Sequence, residues 1–236
     1  MPSKRGKLKY ILPAVTVVAA VPVILVAGVA LGDRNYAVVS PIILVLATLM
    51  FFLSFERRTP KAREIVPIAV MAALAAVGRL AFAQLPEFKP ILAIVIIAAI
   101  PFGPEAGFMT GTLAMLASDF FFGIGPWTPW QMYCCGLTGF LAGLIFRREG
   151  TRRLWAMCLY GFLSAYVYGA VIDLWTASVA SGRITMPAVL AAYATGLPAS
   201  TVLGAATAFF LLILARPIMR KLERIKTKYG LGETDA

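Results

Sequence analysis

Residues 90–104 read PILAIVIIAAIPFGP, and whether they cross a membrane decides how the rest of the chain is laid out. The apolar run from 90 to 100 gives a helical rise of about 16 Å against a hydrocarbon core of about 30 Å. It therefore crosses only if Pro101-Phe102-Gly103-Pro104 continues in extended form, enclosed by protein because lipid satisfies no backbone group. Longer apolar runs lie on either side, at about 10–31, 36–55, 65–83, 105–122, 129–146, 153–179 and 187–215. Each is near the roughly 20 residues that a spanning helix needs. With 90–104 counted as a crossing, Lys and Arg fall mostly on one side: four at the N-terminus, four in 56–64, four in 147–153 and six after Ala215. The other side holds Arg34, Lys89 and Arg183, and Arg79 lies within a span. Basic residues mark the cytoplasmic face, and dropping the short crossing would export Arg147, Arg148, Arg152 and Arg153. The expected fold is an all-α, polytopic transmembrane bundle of about eight spans in the plasma membrane, with both termini cytoplasmic. It divides into a two-helix N-terminal extension (1–59), a six-helix core (60–215) and a basic cytoplasmic tail (216–236) that begins as a continued helix.

Composition supports the bilayer as solvent. Of the 236 residues, 60% are hydrophobic and 14% charged, more apolar surface than a soluble fold of this size keeps from water. The net charge of +11 is gathered in short clusters between apolar runs, which encodes orientation rather than a nucleic-acid surface. Cys134, Cys135 and Cys158 all lie in apolar stretches, and adjacent cysteines bridge poorly, so neither a disulfide framework nor a metal site is expected. Histidine is absent, which removes the usual general base and the commonest metal ligand. The first apolar run follows four basic residues but carries no convincing cleavage site, and reads as a retained helix.

Ionisable side chains inside spans are costly and generally face a protein interior or cavity. There are three, Arg79, Asp119 and Asp173, and the topology puts all of them toward the outer side. The loop GIGPWTPW (123–130) is external as well, its prolines and glycines fixing a compact path that presents Trp127 and Trp130. Phe108, Thr112, Met115 and Asp119 share one helical face, as do Phe162, Tyr166, Gly169 and Asp173. Candidate ligand-binding residues are accordingly Arg79, Asp119, Trp127, Trp130, Gln131, Tyr133, Tyr166 and Asp173. A plainer reading has Arg79 neutralising one aspartate to hold the bundle together, with the tryptophans as an interfacial belt. Two carboxylates against one arginine still leave an acid unpaired.

The span at 65–83 carries small residues four apart, Ala69 with Ala73 and Ala72 with Ala76, which let another helix approach closely. Arg79 shares a stripe with Ala72 and Ala76. If Arg79 faces inward, Ala69 and Ala73 are the better partner-facing pair. Two other functions fit the composition: an ion-coupled secondary transporter protonating Asp119 or Asp173, and an intramembrane enzyme using those two acids as a pair.

The run SDFFFGIGPWTPWQM (118–132), the alanine-rich helix opening the last six spans and the segment YGAVIDLW (168–175) resemble the S components of energy-coupling factor (ECF) transporters over about residues 60–215. The resemblance implies a six-helix subunit that captures a vitamin or related micronutrient in an outward-opening pocket. Its implied partners are a T component, met by the alanine motif, and two cytoplasmic ATPases that use the ATP. The chain itself has no phosphate-binding loop, and no cofactor is expected on it. The tryptophan content most resembles the cobalamin-type group, in which Gln131, Tyr133 and indole N–H groups would meet corrinoid amides. The two N-terminal spans and the tandem Cys134-Cys135 depart from the family pattern.

Overall fold

The computed structural model describes residues 62–181 and 185–229, together with Val45 and Thr48. Among the continuously described residues there are six α-helices and no strand: α1 Ala62–Ala81, α2 Ile91–Phe102, α3 Pro104–Phe122, α4 Thr128–Ile145, α5 Leu154–Ser181 and α6 Met186–Tyr229, with a 3-10 turn at Glu149–Thr151. Apart from Val45 and Thr48, the two N-terminal spans lie outside the described residues, as do 230–236.

The short apolar run is the axis of the bundle. Every residue of α2 from Ile91 to Pro101 is buried, and α2 packs against all five other helices. It does not proceed in extended form after residue 100. Pro101 and Phe102 are helical, and only Gly103, at φ 93° and ψ 178°, leaves the helical region. Pro104 then starts α3, at a first-turn position where a missing N–H costs nothing. One glycine in a conformation closed to other residues thus replaces the expected extended stretch. At 12 residues, α2 rises only about 18 Å, and enclosure on every side explains how so short a helix sits in the bundle.

Small residues draw α3 and α4 together. A Cβ at Gly107 would meet the Gly139 carbonyl oxygen at 2.5 Å, and one at Gly111 would strike the Cys135 backbone. The pairs Gly107/Gly111 and Cys135/Gly139 are small residues four apart, the pattern that lets helix backbones touch. Cys134 and Cys135 are buried free thiols that serve as compact apolar residues at this crossing. The outer surface is apolar. Trp155, Leu159, Leu163 and Val167 recur every four residues on α5 and are all exposed, as are Leu190, Leu197, Leu212 and Ile213 on α6. Residues 154–179 and α6 are long and apolar enough to cross a membrane.

At the opposite end from Arg79, α6 continues past Ala215 without a break, the helical continuation expected of the basic tail. Leu222 is buried in the main core. Arg152 pairs with Glu223 at 2.9 Å and donates from Nε to the Phe146 carbonyl at 3.1 Å. Lys226 Nζ donates to the Pro101 carbonyl at 2.7 Å. Two cations therefore satisfy carbonyl groups at the C-terminal ends of α2 and α4, where the helix dipole favours positive charge.

Candidate functional site

Arg79 is drawn into the interior by the face it occupies. Ala72, Ala75, Ala76 and Arg79 are buried along one side of α1, whereas Ala69 and Ala73 are exposed. The guanidinium NH1 lies 2.6 Å from Asp119 Oδ1 and donates to Ser118 Oγ at 2.6 Å. Its carbon sits 4.4 Å from the centre of the Phe122 ring, over which Lys89 also lies at 5.1 Å. Asp119 is 1% exposed, and the Gln131 amide, oriented with its nitrogen toward the carboxylate, donates to Oδ2 at 3.1 Å. Asp119 thus gathers α1 and α4 onto α3 through charge-assisted bonds.

Beside this cluster is a cavity of about 240 Å³ to which all six helices contribute. Arg79 comes from α1, Met115 from α3 and Gln131 from α4. Tyr168, Gly169, Ile172 and Asp173 come from α5, and Gly196, Ala199, Ser200 and Leu203 from α6. Ile91 and Leu92 of α2 form its floor, and Glu87 and Lys89 reach it from the loop between α1 and α2. Glu87 holds φ 55°, an uncommon backbone state for a residue with a side chain. Glycine admits the two charged or polar groups on the α5–α6 wall: a Cβ at Gly196 would collide with the Asp173 carboxylate, and one at Gly169 with Ser200 Oγ.

Of the residues singled out from sequence, Arg79, Gln131 and Asp173 line the cavity, and Asp119 stands directly behind Arg79 and Gln131. The others lie elsewhere. Trp130 and Tyr133 are fully buried in a second apolar cluster with Phe108, Met109 and Phe140. Trp127 stacks edge-on against Trp175 at 6.1 Å. Tyr166 shares a 2.9 Å hydrogen bond with Thr201 between α5 and α6. Glu87, Lys89, Tyr168 and Ser200 were not anticipated. The signal for Ser200 was present, since Gly196 and Ser200 are small residues four apart on α6. Among the described residues no three Cys, Asp or Glu side chains converge on a metal position.

The family model described as ECF-type riboflavin transporter, S component, matches residues 60–224. The chain belongs to that family. The family's description is that of a transporter subunit, and S components of the family work with a T component and ATPases. Over 88 residues this S component is 34% identical to a UPF0397 protein of Vibrio atlanticus (strain LGP32). Over the same length it is 33% identical to UPF0397 proteins of Aliivibrio fischeri (strain MJ11) and Aliivibrio salmonicida (strain LFI1238). Each match covers 35% of this chain and 48% of the relative, so the chain spans about half the length of the curated relatives it matches. No solved structure matches it significantly.

Proposed function

We propose that this S component captures a vitamin-class solute in the cavity bounded by Arg79, Gln131 and Asp173 and delivers it through an ECF module. The observation that carries the reading is one partly polar cavity to which all six helices of the family core contribute. Binding sites of this kind combine apolar enclosure with a few polar groups that fix orientation. At about 240 Å³, the cavity suits a molecule of one or two ring systems, and a corrinoid is several times larger. The matched family is described by riboflavin, which belongs to the size class just above this volume.

The cavity lies at the end away from Arg147, Arg148, Arg152, Arg153 and the basic stretch of α6, so the positive-inside rule opens it to the exterior and leaves the chain's termini cytoplasmic. Ala69 and Ala73, exposed on α1, form the ridge offered to the T component, beside a groove lined by Val66, Val70, Leu222 and Ile225. Two ATPases bound to that partner supply the energy.

Uptake of labelled thiamine, riboflavin and biotin by cells producing this chain with and without an ECF module tests the assignment. Accumulation of at least one vitamin should require both the module and its ATPase activity. Uptake that persists without ATPases and collapses with the proton gradient would instead identify an ion-coupled carrier.

A further inference from the structure

The charges around the cavity do not cancel. Arg79 lines it, but its guanidinium is engaged by Asp119 at 2.6 Å, by Ser118 and by the Phe122 ring. That pair is neutral as a unit. Lys89 and Glu87 are the next two charged groups on the wall, and they offset one another in sign. Asp173 is left. It lines the cavity from α5 and has neither a hydrogen bond nor an ion pair among the described residues, and its carboxylate rests against the backbone of Gly196. Because any side chain at 196 would occupy the carboxylate's place, the α5–α6 contact holds this acid at the wall, with Ser200 next to it. Desolvating a carboxylate beneath a bound solute without a partner is expensive, so a solute that closes the cavity must bring the partner with it.

Resting on the binding role proposed above, we infer that the solute carries a positive charge and that Asp173 is the residue that selects for it. The rest of the lining completes the recognition. Lys89 is a donor near Arg79, suited to an oxygen or ring-nitrogen acceptor elsewhere on the solute, whereas the Gln131 amide nitrogen is held by Asp119. The substrate class is therefore a small cationic, ring-containing micronutrient with an acceptor-bearing tail, in preference to a neutral or anionic one.

Equilibrium binding to the purified chain in lipid nanodiscs tests this with four probes: thiamine and pyridoxamine as cations, riboflavin as the neutral molecule and biotin as the anion. At least one cation should bind, and Asp173→Asn, which keeps the shape and removes the charge, should weaken it tenfold or more. Gly196→Ala, which keeps the charge but displaces it, should weaken the same probe by a smaller factor. Size-exclusion behaviour and helical content of both variants should match the parent. Cation binding unchanged in Asp173→Asn, or binding of riboflavin or biotin alone, would overturn the inference while leaving the transport reading in place. Binding of none of the four would overturn both.

Discussion

Arg79 is worth more to this molecule as half of a pair than as a cation. With Asp119 1% exposed, Arg79→Ala leaves a buried carboxylate without its counter-ion, which costs about 3–5 kcal/mol. Thermal unfolding in detergent should show a large fall for Arg79→Ala. Asp119→Asn, which removes charge but keeps shape and hydrogen bonding, should fall less than Asp119→Ala. Much of this was legible, because three ionisable residues inside apolar spans are conspicuous in any sequence. Which acid Arg79 chooses was not, since Asp119 and Asp173 fall at one depth and only the rotation of α3 and α5 separates them. The tryptophans were harder. A Pro- and Gly-rich aromatic loop signals a defined shape, yet whether its indoles face a cavity or an apolar cluster depends on neighbours far along the chain. Trp130 went to the cluster with Phe108 and Phe140.

Helix packing turns on glycine more than on alanine. Gly139→Leu would drive a branched side chain into the α3 backbone at Gly107 and should abolish a monodisperse, folded preparation. Ala73→Leu, on the exposed face of α1, should leave stability unchanged while reducing co-purification with a T component several-fold. The same spacing rule therefore predicts opposite consequences on two helices, and burial decides between them. The alanine pairs of α1 were evident in sequence. The small-residue pairs of α3 and α4, Gly107/Gly111 and Cys135/Gly139, carried an equal signal, obscured by their neighbourhood of larger apolar residues. The short α2 helix shows the limit of length arguments: a helix wholly surrounded by protein need not match the hydrocarbon thickness by itself. At its end, Lys226 donates to the Pro101 carbonyl. Lys226→Met should cost about 1 kcal/mol, measurable as a modest drop in unfolding temperature.

For the whole molecule, topology and cavity are one claim, because the side on which the cavity opens follows from the parity of the spans. In a Cys158→Ala background, a membrane-impermeant maleimide applied to intact cells should label Ile124→Cys in the α3–α4 loop and spare Gly150→Cys in the α4–α5 loop. The six core helices could be placed from apolar periodicity and basic-residue asymmetry alone. The cavity could not, because its walls draw residues from six segments and its volume depends on glycine contacts between α5 and α6. A solute at 100 times its Kd should stabilise the chain by about 2.7 kcal/mol. The most direct measurement is native mass spectrometry of the chain purified from rich medium and then exposed to thiamine, pyridoxamine, riboflavin and biotin, beside Ala199→Phe, which fills the cavity. The account predicts one small molecule per wild-type chain and none on the folded variant. A wild-type chain that remains bare, or a variant that holds the same molecule in the same proportion, would contradict it.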